Sequence, residues 1–475
     1  MFYLAFSILF LICLGLLFLL RKKEALSDKV IKIITIIFMS FMFLNVFLPD
    51  SFVVSLSREE LEVNNNIFEA IVRWLRYVGF LVIPIAVFKK KNLFVKIAIY
   101  FVLPMAILNL VLYFMYLPDI TTQALRGVAN IRFLNEEFRS FISNEMFRSL
   151  VFGVISLLEI IILIYIGYKN INKLKFEGIK DIVNFIFILL GLIVISLPIY
   201  IPQYLIGYTN IIFDRYSFAH LGWLVSLLVT FILLHVIFKD KPYDDKFTLA
   251  FVMSLGLLLQ YNQMFAAINE LTFQRMPFQL CNIGSYLILI TLLTKNEKLF
   301  SFTLVVNVVG ALIALGFMDV DGEGIGYLWN MHFILEHSGV MLIPLLCLSL
   351  KVFPALKKND LWFVLLGFTI YFLVVLSLGT EVNSIYKATG NDFFKANYLF
   401  MFDGEKAYDF SKALGALFKT EIRIGSYTYY PVIQTAVFFI FNVLCVGIFY
   451  LLYGLTHIKK ERLWAQNNTN KILFT

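Results

Sequence analysis

The sequence predicts an all-α, polytopic helical membrane protein with about 13 transmembrane helices, and three observations carry that expectation. Of its 475 residues 60% are hydrophobic and 15% charged, at a mean hydropathy of +0.83, and no soluble core of this size hides so much apolar surface. The apolar residues come in long unbroken Leu, Ile, Val and Phe runs, without the alternation of a barrel strand. Short basic clusters separate the runs. Basic charge spread in this way, rather than gathered on one face, argues against nucleic-acid binding.

Taken in order, the runs cover about 2–20, 30–49, 67–88, 94–117, 146–168, 182–202, 217–238, 247–268, 278–294, 299–317, 333–350, 361–379 and 430–454. Most approach the roughly 20 residues that a helix needs to cross hydrocarbon. The first, MFYLAFSILFLICLGLLFLL, lacks a basic leader and is followed by Arg21, Lys22 and Lys23. That reverses the charge order of a cleaved signal, so the run is expected to be retained. With the amino terminus outside, every basic cluster falls inside: 21–23, 89–91, 169–180, 239–241, 295–298, 357–358 and 459–462. The expectation is a multi-pass cell-membrane protein with its carboxyl terminus in the cytoplasm.

An internal repeat is expected from two matching stretches. FLVIPIAVFKKKNLF (80–94) lines up with YLILITLLTKNEKLF (286–300) as helix, basic turn and Leu-Phe, and VFGV (151–154) falls where HSGV (337–340) does. Six spans in the first copy are an even number, so the second enters the membrane in the same direction, as a parallel repeat. The division is 1–209, a degenerate six-helix repeat, and 210–475, a seven-helix unit carrying the site. This pairing sets Leu75 against Cys281 and Val151 against His337.

Four cysteines, Cys13, Cys281, Cys347 and Cys445, are too few for a disulfide framework, and only Cys281 sits near a helix end. In MPFQLC (276–281) Pro277 suits a first helical turn, so the ninth span is expected to begin at Met276 or Pro277. Cys281 then lies about one turn inside, where the positive end of the helix favours a thiolate nucleophile. His337 occupies the corresponding depth on the eleventh span, in reach if the two helices are neighbours, as a base for the thiol. Gln279 and Asn282 flank the cysteine as hydrogen-bond donors to an oxyanion. A buried inert cysteine and a satisfied interfacial histidine are the plain alternative.

The run SFAHLGWLVSLLVTFILL (217–234), then MPFQLC, the EHSG helix (336–339) and ANYLFMF (396–402) resemble the YwaF-like family of bacterial integral membrane proteins. That family is similar to the transmembrane-protein-164 acyltransferases, which remodel phospholipids using a cysteine and a histidine. The resemblance covers about 210–455. It implies Cys281 as acyl-accepting nucleophile, His337 as base, and His220, Asn397 and Tyr398 as site-lining residues. It further implies a membrane phospholipid or lyso-lipid as partner and no cofactor. The first two hundred residues and 404–425 depart from the pattern.

Other features have more than one reading. DVDGEGIGYLWN (319–330) carries half a calcium loop in Asp319, Asp321, Glu323 and Gly324 but ends in Asn330, so no metal site is assigned. Arg73 and Arg76, in the third span, must snorkel to headgroups or pair with an acid. EKAYDFSKALGALFKT (405–420) reads as an amphipathic surface helix. No phosphate-binding glycine loop, dinucleotide fingerprint or HExxH is present. Against the acyltransferase stand a lipid or small-molecule transporter, with Asn262, Gln263 and Asn307 marking a path, and a non-catalytic membrane scaffold whose loop 380–429 recruits a partner.

Overall fold

The computed structural model describes residues 24–44, 67–115, 145–199, 211–267, 273–316, 324–402 and 417–457, besides Leu11, Leu14 and Gly15. They fall into two compact units, the first drawn from 1–208, 262–270 and 326–328, the second from 209–261, 271–325 and 329–475. Among the described residues the regular structure is helical apart from one short hairpin and an isolated bridge between Ile212 and Gly324. Six helices among the described residues are long and apolar enough to cross a membrane: Asn92–Leu112, Phe218–Phe238, Glu297–Gly316, Trp329–Ser349, Asp360–Thr389 and Pro431–Thr456, with Leu280–Thr294 a shorter apolar helix. The first apolar run, 2–20, lies almost entirely outside the described residues. Another, Ile67–Pro84, forms a helix that carries Glu69, Arg73 and Arg76.

The first unit contains α1 (Glu24–Leu44), α2 (Ile67–Pro84), α3 (Asn92–Ile97), α4 (Leu103–Met115), α5 (Glu145–Lys169) and α6 (Ile179–Ile195). A π-helical segment, Ile85–Lys89, ends α2; Lys90 then turns the chain with φ 50° and ψ 31°. A second π segment, Ala98–Val102, joins α3 to α4. Arg76 on α2 pairs with Glu159 on α5 at 3.2 Å and donates to Ser156 Oγ, also at 3.2 Å. Glu159 is buried and Arg76 largely so, so the carboxylate meets its partner where little water reaches. Of the two fates foreseen for Arg76, pairing with an acid is the one taken. The side chain of Arg73 lies outside the described residues.

The second unit begins with α7 (Phe218–Phe238), capped by Ser217 Oγ on the His220 N–H. Its apolar side chains point mostly outward, Phe218, Val225 and Leu228 among them. Next come α8 (Tyr243–Ala267), α9 (Leu280–Thr294), α10 (Glu297–Phe302), α11 (Val308–Gly316), α12 (Leu328–Ser349) and α13 (Asp360–Thr389). Lys295, at φ 51° and ψ 33°, ends α9, and Asn296 caps α10 through the N–H groups of Lys298 and Leu299. The basic cluster 295–298 therefore holds a tight turn, at Lys295 and Asn296, and the first residues of α10. A π segment, Thr303–Asn307, joins α10 to α11 within one continuous span.

α13 runs ten residues past the apolar stretch 361–379, to a Gly390 C-cap at φ 67°. The segment 380–389, expected as loop, is thus helix. Of the stretch expected as an amphipathic helix, 405–416 lies outside the described residues. Strands β1 (Ile422–Ile424) and β2 (Tyr427–Tyr429) pair antiparallel, turning at Gly425 with φ 63°. The last helix, α14 (Pro431–His457), packs on α13 through Phe368 and Phe441, stacked at 4.4 Å.

Arg76→Met leaves Glu159 buried without its partner and is expected to cost about 3–5 kcal/mol, whereas adding Glu159→Leu recovers most of the loss. Thermal melts in detergent read both. A double variant no more stable than the single one would refute the role assigned to the pair.

Candidate functional site

The candidate site lies in the second unit, at the start of α9. The backbone reaches it through a 3-10 turn at Phe273–Arg275 and a tight turn in which the Phe278 N–H bonds the Met276 carbonyl. Gln279 is extended, at φ −65° and ψ 147°, and the helix starts at Leu280, later than Pro277 suggested. The delay has a cause in tertiary bonding. Tyr371 Oη on α13 donates to the Phe278 carbonyl, and the Gln279 amide is engaged at both ends by a loop. Cys281 therefore sits in the first turn of α9, among N–H groups that have no intrahelical partner.

That loop is 391–402. Gln279 Nε2 donates to the Asn397 carbonyl, and Gln279 Oε1 accepts from the Leu399 N–H, each at 3.3 Å. Gln274 Oε1 accepts from the Asn397 N–H, and Tyr398 Oη donates to the Phe273 carbonyl. Asn383 on α13 grips Ala396 by both its N–H and its carbonyl. Burial pushes the Tyr398 phenol above its usual range, so the hydroxyl stays a donor. Leu399 and Phe400 both hold positive φ, 51° and 57°, a conformation that costs side-chain-bearing residues about 1–3 kcal/mol each. Gln279, Asn397 and Tyr398 are thus brought together. Their bonds go to backbone: they fix the entry to α9.

Cys281 is a free thiol, 7% exposed. Its sulfur packs against Gly310 on α11, 3.8 Å from where a Cβ would stand there. Glu336 and Tyr371 are within electrostatic range of it. Asn282, the next residue, faces a buried polar cluster. In the amide orientation that matches donors to acceptors, its nitrogen donates to both Glu336 oxygens, at 3.0 and 3.2 Å, and its oxygen accepts from Tyr261 Oη at 3.3 Å. His332 Nε2 lies 3.2 Å from Glu336 Oε2. Asn282 is thus engaged with a carboxylate.

His337 follows Glu336 on α12, and its Nδ1 lies 2.6 Å from the Phe333 carbonyl. A carbonyl only accepts, so the proton is on Nδ1 and the lone pair on Nε2, the form a base requires. His220 is fully buried and committed elsewhere. Its Nδ1 accepts from the Tyr216 N–H at 3.0 Å, so Nε2 donates to the Leu315 carbonyl at 2.7 Å. It ties α7 to the end of α11.

Residues 215–453, just over half of the chain, match a family model described as the TMEM164 family. The chain belongs to the TMEM164 family. It is a membrane protein with several apolar helices. No curated protein matches it, and no solved structure does. Every site residue named above lies inside the region matched to the TMEM164 family, whereas Arg76 and Glu159 lie outside it.

Glu336, His332 and Tyr261 were not singled out from the sequence. For Glu336 a signal existed, an acid within an apolar run and one residue before the nominated histidine. His332 then follows at the i, i+4 spacing that lets a helix pair the two. Tyr261 gave none. Of the half calcium loop, 319–323 lies outside the described residues, and among the described residues Asn330 Nδ2 donates to the Gly324 carbonyl at 3.0 Å. No group of metal-ligating side chains occurs among the described residues. The side chains of Asn262 and Gln263 are also outside them.

Gln279→Leu removes two of the bonds that hold the Asn397–Leu399 backbone and leaves the one from Gln274, and its expected cost is about 1–3 kcal/mol. Hydrogen exchange should quicken at 396–402 before it does along α9. Unchanged exchange there would refute the clamp.

Proposed function

We propose that the chain is a membrane-embedded acyltransferase that remodels phospholipid at the outer leaflet, with Cys281 as nucleophile and His337 as base. The proposal includes the wider architecture expected from the sequence: about 13 spans, an outer amino terminus, and a first unit that is a degenerate copy of the second. Resemblance to phospholipid-remodelling acyltransferases supports the reaction class.

One observation carries the reading. Val340 on α12 packs onto Gly284 on α9, 3.3 Å from where its Cβ would stand. Cys281 and His337 each precede that contact by three residues, about one turn. A single span separates α9 from α12, so both cross in the same direction. On this reading one turn back on each would bring the sulfur and the imidazole to one level.

The proposed repeat supports the same pairing. Lys90 and Lys295 share one left-handed conformation, α3 and α10 have equal lengths, and each leads into a five-residue π segment. On that register Ala98 corresponds to Thr303, Gly79 to Gly284, and Arg76 to Cys281. Gly79 faces Val102 and Glu159 as Gly284 faces Asn307 and Val340, so Glu159 corresponds to Val340 and Ser156 to His337. The pairing drawn from sequence, Leu75 with Cys281 and Val151 with His337, shifts accordingly. Side-chain geometry favours this register over the one drawn from four identical letters in fifteen. Arg76 donates to Ser156 in the first unit, across the gap that Cys281 and His337 are proposed to share in the second.

In the proposed reaction His337 Nε2 takes the thiol proton as sulfur attacks an ester carbonyl. The lyso-lipid alkoxide leaves with that proton, and the resulting thioester passes its acyl chain to a second lipid hydroxyl. Glu336, beside the imidazole in sequence and held by Asn282 and His332, would stabilise a transient imidazolium. In vesicles carrying labelled phospholipid and lyso-lipid, Cys281→Ala and His337→Gln are each expected to lower acyl exchange at least 10³-fold with the protein still folded. Glu336→Gln should lose less. Full exchange by Cys281→Ala would remove the nucleophile.

A further inference from the structure

Asn307 ends the π segment in the middle of the Glu297–Gly316 span, is fully buried, and neither its amide nitrogen nor its amide oxygen has a partner. An unbonded carboxamide in hydrocarbon is costly, and native chains rarely carry one without a reason. Its place is specific. The amide nitrogen lies 2.7 Å from where a Cβ of Gly284 would stand, and only a glycine there admits it. Three residues on, Gly310 meets the Cys281 sulfur, and Cys281 lies three residues before Gly284. The two helices run antiparallel, so Asn307 stands about one turn, roughly 4.5 Å, below the thiol on the face that carries it. In the first unit, at the proposed equivalent position, stands Val102, where Arg76 replaces the cysteine. The orphan amide therefore accompanies the sulfur.

We propose that Asn307 is the hydrogen-bond donor for the ester carbonyl oxygen that Cys281 attacks, an inference that rests on the acyltransferase reading above. When sulfur bonds to the carbonyl carbon, the π electrons move onto oxygen, and the amide N–H bonds that oxyanion. When the C–O bond to the lyso-lipid breaks, the electrons return and the carbonyl reforms on the thioester. Thioester cleavage by the acceptor hydroxyl repeats the cycle. Until substrate arrives the amide has nothing to bond, which is why it is unpaired.

The test compares wild type, Cys281→Ala and Asn307→Leu, the last of similar shape to asparagine, in vesicles of phosphatidylcholine with labelled acyl chains and lysophosphatidylcholine. Asn307→Leu should lower kcat 10²–10³-fold with KM little changed. Its Tm should hold or rise, because an unpaired amide has been removed. Acylation of Cys281 in a single turnover, followed by mass spectrometry, should slow by the same factor. Wild-type kcat in Asn307→Leu, or a fall matched by a lower Tm, would overturn the proposal. If the leucine variant fails to fold, Asn307→Ala is judged by kcat and KM in the same way. Should wild type transfer no acyl group, or Cys281→Ala transfer it fully, the acyltransferase reading fails first and this proposal with it.

Discussion

Hydrocarbon offers a polar group nothing to bond to, and the interior of this protein is arranged around that constraint. Arg76 is met by Glu159 and Ser156. Glu336 is met by Asn282 and His332, and Asn282 in turn by Tyr261. The hydroxyls of Ser226, Thr230, Thr294 and Thr369 each fold back onto a carbonyl of their own helix, one turn earlier. Partners are not supplied everywhere: among the described residues Asn109 and Gln434 each have a buried amide nitrogen without one, and Thr291 and Thr380 a buried hydroxyl, but Asn307 is the amide with neither its nitrogen nor its oxygen met.

The π segments are the second consequence. A π turn adds a residue to the helical repeat, which rotates everything after it and leaves a weakened bond in the ladder, so it persists where the rotation is useful. In the second unit it falls at Thr303–Asn307, and the chain beyond it sets Gly310 against Cys281. Gly284 and Gly310 act together here. The missing Cβ of Gly284 admits the Asn307 amide, and that of Gly310 admits the Leu280 side chain, with the Cys281 sulfur beside it at ordinary contact distance.

Much of this was legible in sequence because hydropathy and charge are local signals. The apolar runs that fall among the described residues lie largely in helices, and the basic cluster at 295–298 holds the turn between α9 and α10. The start of α9 was misplaced by a few residues, since Pro277 marks a permissible first turn but says nothing of Tyr371 or the 391–402 loop, which hold Phe278 and Gln279 out of the helix. That loop could not have been foreseen. Leu399 and Phe400 are poor candidates for left-handed backbone, and the tertiary bond from Gln279 to the Leu399 N–H and the local one from the Phe402 N–H to Asn397 Oδ1 help to keep them there. The partnership of Glu336 with Asn282 joins residues far apart in sequence, and no periodicity reports it.

The strain in 391–402 bears on the chemistry. Two left-handed residues raise the energy of the loop, and the buried Tyr398, with the bonds to Gln274, Gln279 and Asn383, must offset it. Those same bonds fix residues 273–279, and through them the first turn of α9. A sulfur on that turn has its position set by the loop as much as by its own helix. If Cys281 is a nucleophile, the 391–402 loop helps to set how closely the thiol approaches the ester, because stabilising a developing charge depends on donors already in place. The strain is then part of what keeps the site from relaxing between turnovers.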